Sequence, residues 1–454
     1  MDEGKFRRLL CPEKLIWLLL FALLAERLVL FQQFGVRYMS NSDDVAYLES
    51  GLLFAKTGMI SMWGPYPSAM IMPGMPFVIG AFSLIFGEGD ALLLALKLLW
   101  ILMGVTNAWV AYRTAKLAAG GWAGFFAACG FLVPNMAWMN HVLLTETPYM
   151  LFFSLCLYLT LRLERGGGRG CRIAYVLSFM AALLFRSNIL LMLLFTSLWL
   201  LIRRQGKQFL RLIVPLLAAL LLFIVPWSIR NYRCFDAFIP FSYGAGNPLL
   251  LGTYQGEGYP EDDALDYESN VHAVMRERYA AYYKEPEPQE TDDYYITHFD
   301  PNGEVRDLRY AQFLSLEADG VMAKYRLREW WKQNPLSLLK SYLFIKPRWM
   351  LNWSWAWMPA FHVPYETLHR ISQLNFLVCG MAVILALGRK RCRAPLLFLC
   401  AVYWISIYFH ALAFVTDRYA STYTSLRYTV AGIGIALALQ SIGHRRTDKN
   451  TDVP

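Results

Sequence analysis

Two neighbouring carboxylates, Asp43 and Asp44, lie shortly after the first apolar segment, in the run 41–47. Either acid could act as a general base, because a carboxylate that is partly removed from water beside a like charge accepts a proton more readily. A second interpretation is structural, since Ser42 or Asp43 could cap a helix that runs towards Lys56. Composition alone favours the cap, so the pair is a candidate for catalysis that needs support from other residues.

A third acid and three arginines fall at the ends of other apolar segments. Glu146 precedes Pro148 at the mouth of one of them, where an unpaired acid is costly in a membrane, although an acid in a first helical turn also suits the helix dipole. Guanidinium groups match phosphate and carboxylate geometry, but a single arginine is more often an anchor that reaches to the membrane surface. The three cations are Arg186, Arg230 and Arg418.

These charges gain meaning when they are considered together. The predicted topology described below places all of them at one depth on one membrane face, and charged groups at such a depth are costly unless they are paired or functional. A shared polar cavity that opens on that face explains the acids and the arginines together.

The elements that must position these residues are membrane-spanning helices. The chain has 454 residues, of which 56% are hydrophobic and 17% are charged, and this is more apolar surface than a soluble core of this size can bury. We therefore predict an all-α multispanning membrane protein with about ten spans. The candidate spans are 15–34, 91–115, 122–139, 147–163, 172–185, 188–202, 209–229, 371–388, 394–415 and 424–442.

Charge asymmetry predicts the orientation of these spans. Basic residues mark cytoplasmic loops, and ten spans place the basic clusters and both termini in the cytoplasm, with no nucleic-acid partner implied. If the apolar stretches 71–86 and 336–352 crossed the bilayer, the basic loops that follow them would lie on the outer side. We therefore predict that both stretches form helices that lie in the outer interface. The segment 230–335 has 19 acidic against 11 basic residues in a chain of net charge +9, as suits an outer loop.

The predicted organisation follows from these assignments. The first outer loop carries the acid pair, the large acidic outer loop is the one candidate for a water-exposed subdomain, and 306–333 within it has helical periodicity. The predicted units are the first span 1–34, the first outer loop 35–90, the transmembrane bundle 91–229, the large outer loop 230–370, the C-terminal spans 371–442 and the cytoplasmic tail 443–454.

The order of motifs resembles a known family over nearly the whole chain: the GT-C glycosyltransferases that use polyprenyl-phosphate sugars. The bacterial relatives of protein O-mannosyltransferases and of the lipid A aminoarabinose transferase are the most similar members. The residues that carry the resemblance are Asp43-Asp44 with Tyr47, Pro73-Gly74-Met75-Pro76, Leu144-Thr145-Glu146-Thr147-Pro148, Arg186-Ser187-Asn188, and the segment 226–238 followed by Tyr243-Gly244-Ala245-Gly246-Asn247.

The resemblance implies an inverting transfer of a sugar from a polyprenyl-phosphate donor to an acceptor lipid, glycan or protein at the outer face of a bacterial plasma membrane. It implies that Asp43 is the base and that Asp44 is its neighbour in the site, while Glu146 orients the acceptor or, with Asp43, holds a divalent cation. Arg418, with Arg186 or Arg230, would offset the phosphate charge, and Tyr47 would line the donor site. No other cofactor is implied.

Two other classes of protein remain open. A transporter or flippase for lipid-linked sugars would also have many spans, but it would carry its charges near the midplane and show paired broken helices. A scaffold subunit would need no acid pair, so loss of function on Asp43→Asn with normal membrane insertion would separate an enzyme from a scaffold. The large loop also offers candidate sugar-stacking side chains, namely Tyr254, Tyr259, Tyr294 and Tyr295.

Overall fold

The computed structural model describes residues 11–284, 305–352, 355–356 and 358–451. This part of the chain is built from helices and connecting loops. Its α-helices, in chain order, are α1 (Pro12–Phe34), α2 (Asp43–Thr57), α3 (Gly74–Phe86), α4 (Asp90–Ala119), α5 (Gly121–Cys129), α6 (Pro134–Trp138), α7 (Glu146–Glu164), α8 (Arg169–Phe185), α9 (Leu190–Ile202), α10 (Gly206–Phe235), α11 (Gly246–Gly252), α12 (Ala273–Arg278), α13 (Ala311–Gln333), α14 (Pro335–Lys340), α15 (Lys346–Asn352), α16 (Tyr365–Leu387), α17 (Lys390–Ala411), α18 (Asp417–Ser421) and α19 (Thr424–Thr451).

Among the described residues, six helices are long and apolar enough to cross a bilayer: α1, α4, α10, α16, α17 and the first part of α19. A straight crossing needs about 20 apolar residues, and these helices meet that length. The all-α multispanning architecture predicted from composition is therefore confirmed, and the chain is a multi-pass membrane protein.

The helix α7 occupies the centre of the bundle, although it is not among those six. Fifteen of its residues are buried, including Glu146, Thr147, Ser154 and Thr160, and it packs against α4 and α8. A helix that is surrounded by protein has no face to offer to lipid, so its sequence can carry polar groups that a lipid-exposed span cannot.

The first loop after α1 folds into a pair of packed helices, α2 and α3. Their backbones approach closely because both contact positions are glycines: a Cβ on Gly51 would lie 2.4 Å from the Ile79 side chain, and one on Gly80 would lie 2.9 Å from Phe54. With 13 residues and a rise of about 1.5 Å per residue, α3 spans roughly 20 Å. This is shorter than the hydrocarbon layer of about 30 Å.

A second hydrophobic core lies in the large loop and is separate from the core of the bundle. Helix α13 supplies much of it, and side chains from the first loop and the end of α10 complete it, among them Ile60, Ala69, Trp227 and Phe235. The periodicity over 306–333 correctly indicated α13, which begins at Ala311 after a short turn. The stretch 336–352 forms α14 and α15.

Candidate active site

Four charged side chains form one connected cluster. Oε1 of Glu146 accepts a hydrogen bond from Nε of Arg418 at 2.6 Å and one from Nη2 of Arg186. Nη1 of Arg418 donates to Oδ2 of Asp43 at 2.6 Å. A single guanidinium therefore joins two carboxylates that are 103 positions apart in the sequence.

The two carboxylates of this cluster differ in their access to solvent. The Glu146 side chain is 0% exposed, whereas the Asp43 side chain is 26% exposed. Oε2 of Glu146 is buried and has no hydrogen-bond partner. A reactant that approaches from the surface reaches Asp43 first, and the remaining acceptor capacity of Glu146 lies behind it.

Four helix ends bring these residues together. Asp43 is the first residue of α2, Glu146 is the first residue of α7, Arg186 directly follows α8, and Arg418 lies in the short helix α18. Both acids thus sit at helix N-termini, where the helix dipole favours negative charge. Nε of Arg186 also donates to Oγ1 of Thr145 at 2.8 Å, which fixes the arginine against the start of α7.

The cluster is electrostatically complementary. Burial alone lowers the pKa of Arg418, but its ion pairs with Glu146 and Asp43 outweigh burial and raise that pKa well above its ordinary value. Tyr47 lies one helical turn after Asp43 and is buried. Burial, and then the charge of Asp43, raise the pKa of Tyr47, so its hydroxyl stays protonated.

The carboxylate of Asp44 points at the backbone. It accepts hydrogen bonds from the amides of Ser40 at 2.5 Å, Ser42 at 3.0 Å and Val45 at 3.1 Å, and its side chain is buried. These contacts fix the turn that leads into α2. The structure therefore places Asp44 where it orients the backbone that presents Asp43.

Arg230 is the predicted cation that the structure does not bring into the cluster. Its guanidinium donates to the carbonyl oxygens of Ser68 at 2.8 Å and Ile60 at 3.2 Å, and it stacks on the ring of Trp227. It fastens the segment 60–68 of the first loop to the end of α10. Any contact between Arg230 and a donor would have to be made from that position.

A divalent cation held by Asp43 and Glu146 does not fit this arrangement. The described residues contain no group of three or more His, Cys, Asp or Glu side chains that could hold a metal ion. Arg418 already lies between the two carboxylates, and a metal would have to displace it. The positive charge that the acids require is supplied by arginines.

Sequence reasoning missed two residues that hold the segment before Arg418. Nζ of Lys346 donates to the carbonyl oxygens of Gly252 at 3.0 Å and Ala413 at 2.5 Å. The side-chain amide of Gln255 accepts from the amide of Val415 at 2.8 Å and donates to its carbonyl at 2.7 Å. The buried lysine in an apolar stretch was a usable signal, whereas nothing in the sequence distinguishes Gln255.

The tyrosines of the large loop form a separate aromatic group. Tyr254 contacts Tyr259, which packs against Trp330, and the guanidinium of Arg326 lies 3.8 Å from the centre of the Tyr254 ring. Both tyrosines belong to the large loop. Tyr294 and Tyr295 lie outside the residues that the structure describes.

Solved structures share this fold. The archaeal oligosaccharyltransferase AglB from Archaeoglobus fulgidus, in complex with an inhibitory peptide and a dolichol-phosphate, matches 97% of this chain and 52% of its own with a TM-score of 0.56 and 11% identity. Its apo form matches 96% of this chain and 52% of its own, with a TM-score of 0.56 and 10% identity. ArnT from Cupriavidus metallidurans bound to undecaprenyl phosphate matches 92% of this chain and 77% of its own, with a TM-score of 0.41 and 16% identity.

No protein-family model matches this chain, and no curated protein matches it at a significant level. The match to the archaeal enzyme confirms the GT-C fold that the motif order indicated. The chain spans about half the length of that enzyme.

Proposed function

We propose that this chain is a membrane glycosyltransferase that moves a sugar from a polyprenyl-phosphate donor to an acceptor at the extracytoplasmic face of the plasma membrane. The observation that carries the proposal is the ion-pair cluster, in which a partly exposed carboxylate, Asp43, is held beside a buried acid by Arg418. The GT-C fold supports it, and so does the dolichol-phosphate in the archaeal structure of the same fold.

The proposed reaction is a direct displacement with inversion at the anomeric carbon of the sugar. The acceptor hydroxyl or amine forms a bond to that carbon as the bond from the carbon to the phosphate oxygen breaks. Asp43 takes the proton of the acceptor, and the lipid phosphate leaves with the bonding electron pair. A base and in-line positioning are the main requirements, because phosphate is a good leaving group once its charge is met.

Arg186 and Arg418 supply the charge that the leaving phosphate needs. Guanidinium groups bind phosphate through paired hydrogen bonds, and both arginines already sit at the acid cluster, 14% and 13% exposed. Glu146 keeps them oriented, and the protonated hydroxyl of Tyr47 can donate to an oxygen of the substrate. The acceptor is a lipid, a glycan or a protein, and its choice rests with the outer loops.

The test is turnover of the purified protein in lipid nanodiscs with a defined polyprenyl-phosphate sugar. General-base catalysis typically contributes about 10²- to 10⁴-fold, so Asp43→Asn should lower turnover by that factor and leave donor binding in place. Asp44→Asn should lower turnover less, because the Asp44 carboxylate accepts hydrogen bonds from backbone amides. Asp90→Asn is a matched surface control, since Asp90 pairs with the exposed Arg37.

Two results would contradict the proposal. Turnover near the wild-type level in Asp43→Asn, together with a large loss in Asp44→Asn or Glu146→Gln, would move the base to another carboxylate. Transbilayer movement of the donor by the wild-type protein, without transfer to any acceptor, would instead indicate a flippase.

A further inference from the structure

A second buried cation, Arg427, lies near the start of α19 and takes no part in the acid cluster. Its side chain is buried at 6% exposure, and one Nη donates to the carbonyl oxygen of Ser372. Its Nε is buried without a hydrogen-bond partner, and no described carboxylate forms an ion pair with it. A buried guanidinium with unused hydrogen-bond donors destabilises the fold unless an anion pairs with it.

Arg427 lines a small, partly open cavity of about 20 Å³ between α6, α16, α18 and α19. The described side chains that line the cavity include no carboxylate, and its polar lining groups include Asn135, Ser372, Asn375, Ser421, Thr424 and Arg427. The lining therefore combines one positive charge that no described carboxylate offsets with neutral amide and hydroxyl groups, some of which can donate hydrogen bonds to an anion.

An apolar groove of about 120 Å³ continues from Arg427 between α16, α17 and α19, and Arg427 lines both spaces. Its walls include Phe376, Val383 and Trp404. Helix α16 has the smallest buried share of the six spans, 17% of its apolar window, so the groove is accessible from the hydrocarbon layer. At Gly380, also in the groove, a Cβ would meet no atom within 4 Å.

We propose that these two spaces together bind one anionic phospholipid of the surrounding bilayer. Its phosphate accepts hydrogen bonds from Arg427 in the polar cavity, and one hydrocarbon chain lies in the groove along α16 and α17. The positive charge of Arg427 favours an anionic head group, and the apolar groove next to it favours a lipid over a soluble anion.

The occupant is a bilayer lipid and not the sugar donor, because the cavity has no base. A donor phosphate must reach Asp43, whereas the described residues around Arg427 supply no carboxylate that could accept a proton. A lipid phosphate held here is bound without reacting. The cavity adjoins the acid cluster, since its lining residue Ser421 donates a hydrogen bond to the carbonyl oxygen of Arg418, but the test of lipid binding does not depend on turnover.

The test is native mass spectrometry of the full chain released from nanodiscs that contain phosphatidylcholine and phosphatidylglycerol. The wild type should retain one phosphatidylglycerol in preference to phosphatidylcholine. Hydrogen bonds to a charged group contribute enough that Arg427→Gln should weaken retention roughly 10- to 100-fold. Gly380→Leu should weaken it as well, because it adds a side chain at a position that lines the groove and where a Cβ meets no atom within 4 Å.

Gly388→Leu is the matched control, since Gly388 ends the same helix and a Cβ there also meets open space. It should retain phosphatidylglycerol like the wild type. Equal retention in the wild type, Arg427→Gln and Gly380→Leu would overturn the site. Preferential retention of added polyprenyl phosphate over phosphatidylglycerol would overturn the assignment to a bilayer lipid.

Discussion

Arg418 connects two carboxylates that reach the cluster from distant parts of the chain. Its Nη1 and Nε bind Asp43 and Glu146 respectively, each at 2.6 Å. Removing one member of a buried ion pair leaves an uncompensated charge at a cost of about 3–5 kcal/mol. A residue at this position must therefore carry a positive charge and also reach in two directions at once.

Lysine in place of Arg418 should keep the positive charge but should not bind both Asp43 and Glu146. Its ammonium is a compact point charge, whereas the planar guanidinium offers donors in a fixed fork. We expect Arg418→Lys to raise the apparent KM for the lipid donor by about tenfold or more, because a hydrogen bond to a charged group is lost. Arg37→Lys is the control, since Arg37 is 80% exposed and pairs with Asp90. An unchanged KM in Arg418→Lys would remove Arg418 from the donor site.

At the residue scale, the sequence indicates which charged residues lie together better than it indicates the partner of each one. Asp43, Glu146, Arg186 and Arg418 were placed at one depth, and the structure joins them in one cluster. Arg230 was placed at that depth too, yet it binds loop carbonyls at the end of α10. Counting spans predicts the depth of a residue in the membrane. Its position around the helix bundle depends on helix packing, which hydropathy does not encode.

At the scale of elements, the large loop holds the segment that carries Arg418. Lys346 ties the end of α11 to the carbonyl of Ala413, and Gln255 pairs with both backbone groups of Val415. The backbones are in close contact at Gly252, where a Cβ would lie 2.0 Å from the carbonyl oxygen of Ala413. The position of Arg418 thus depends on contacts three to five residues before it.

Gly252→Ala should lower turnover by displacing that segment. A misplacement of about 1 Å at a catalytic group can cost up to about 100-fold in rate, so we expect a loss of that order in kcat with normal expression and membrane insertion. Gly64→Ala is the matched control in the first loop, because a Cβ there meets open space. Wild-type kcat in Gly252→Ala would show that this contact does not position Arg418.

The predicted elements agree with the structure where periodicity and breakers are strong. The segment 147–163 corresponds to α7 and 209–229 lies within α10. The segment 122–139 is less regular than a single span, because α5 ends at Cys129, a short turn follows, and Pro134 begins α6. Gly130 and Pro134 were signals of this break in the sequence, but the high mean hydropathy of the segment favoured a single span.

At the scale of the whole molecule, the structure has two hydrophobic cores, one in the helix bundle and one in the large loop. Hydropathy indicated both the helices that face lipid and the buried α7, but it did not indicate the core of the large loop. A buried helix can carry polar groups, and the core of a subdomain draws on residues from distant segments such as Ile60 and Trp227. The fold class was therefore predictable from composition, and the arrangement of the cores was not.

The orientation of the molecule is a prediction that rests on the positive-inside rule. If both termini are cytoplasmic and the stretches 71–86 and 336–352 do not cross, residue 88 faces the outside. Glu88 is half exposed and pairs with Lys56 at the end of α2, so a cysteine there should be accessible without disturbing a core. In a variant that lacks the eight native cysteines, we expect Glu88→Cys to react with a membrane-impermeant maleimide in intact cells. Arg391→Cys, in a predicted cytoplasmic loop, should react only after permeabilisation, and the reverse pattern would invert the topology and place the acid cluster on the cytoplasmic side.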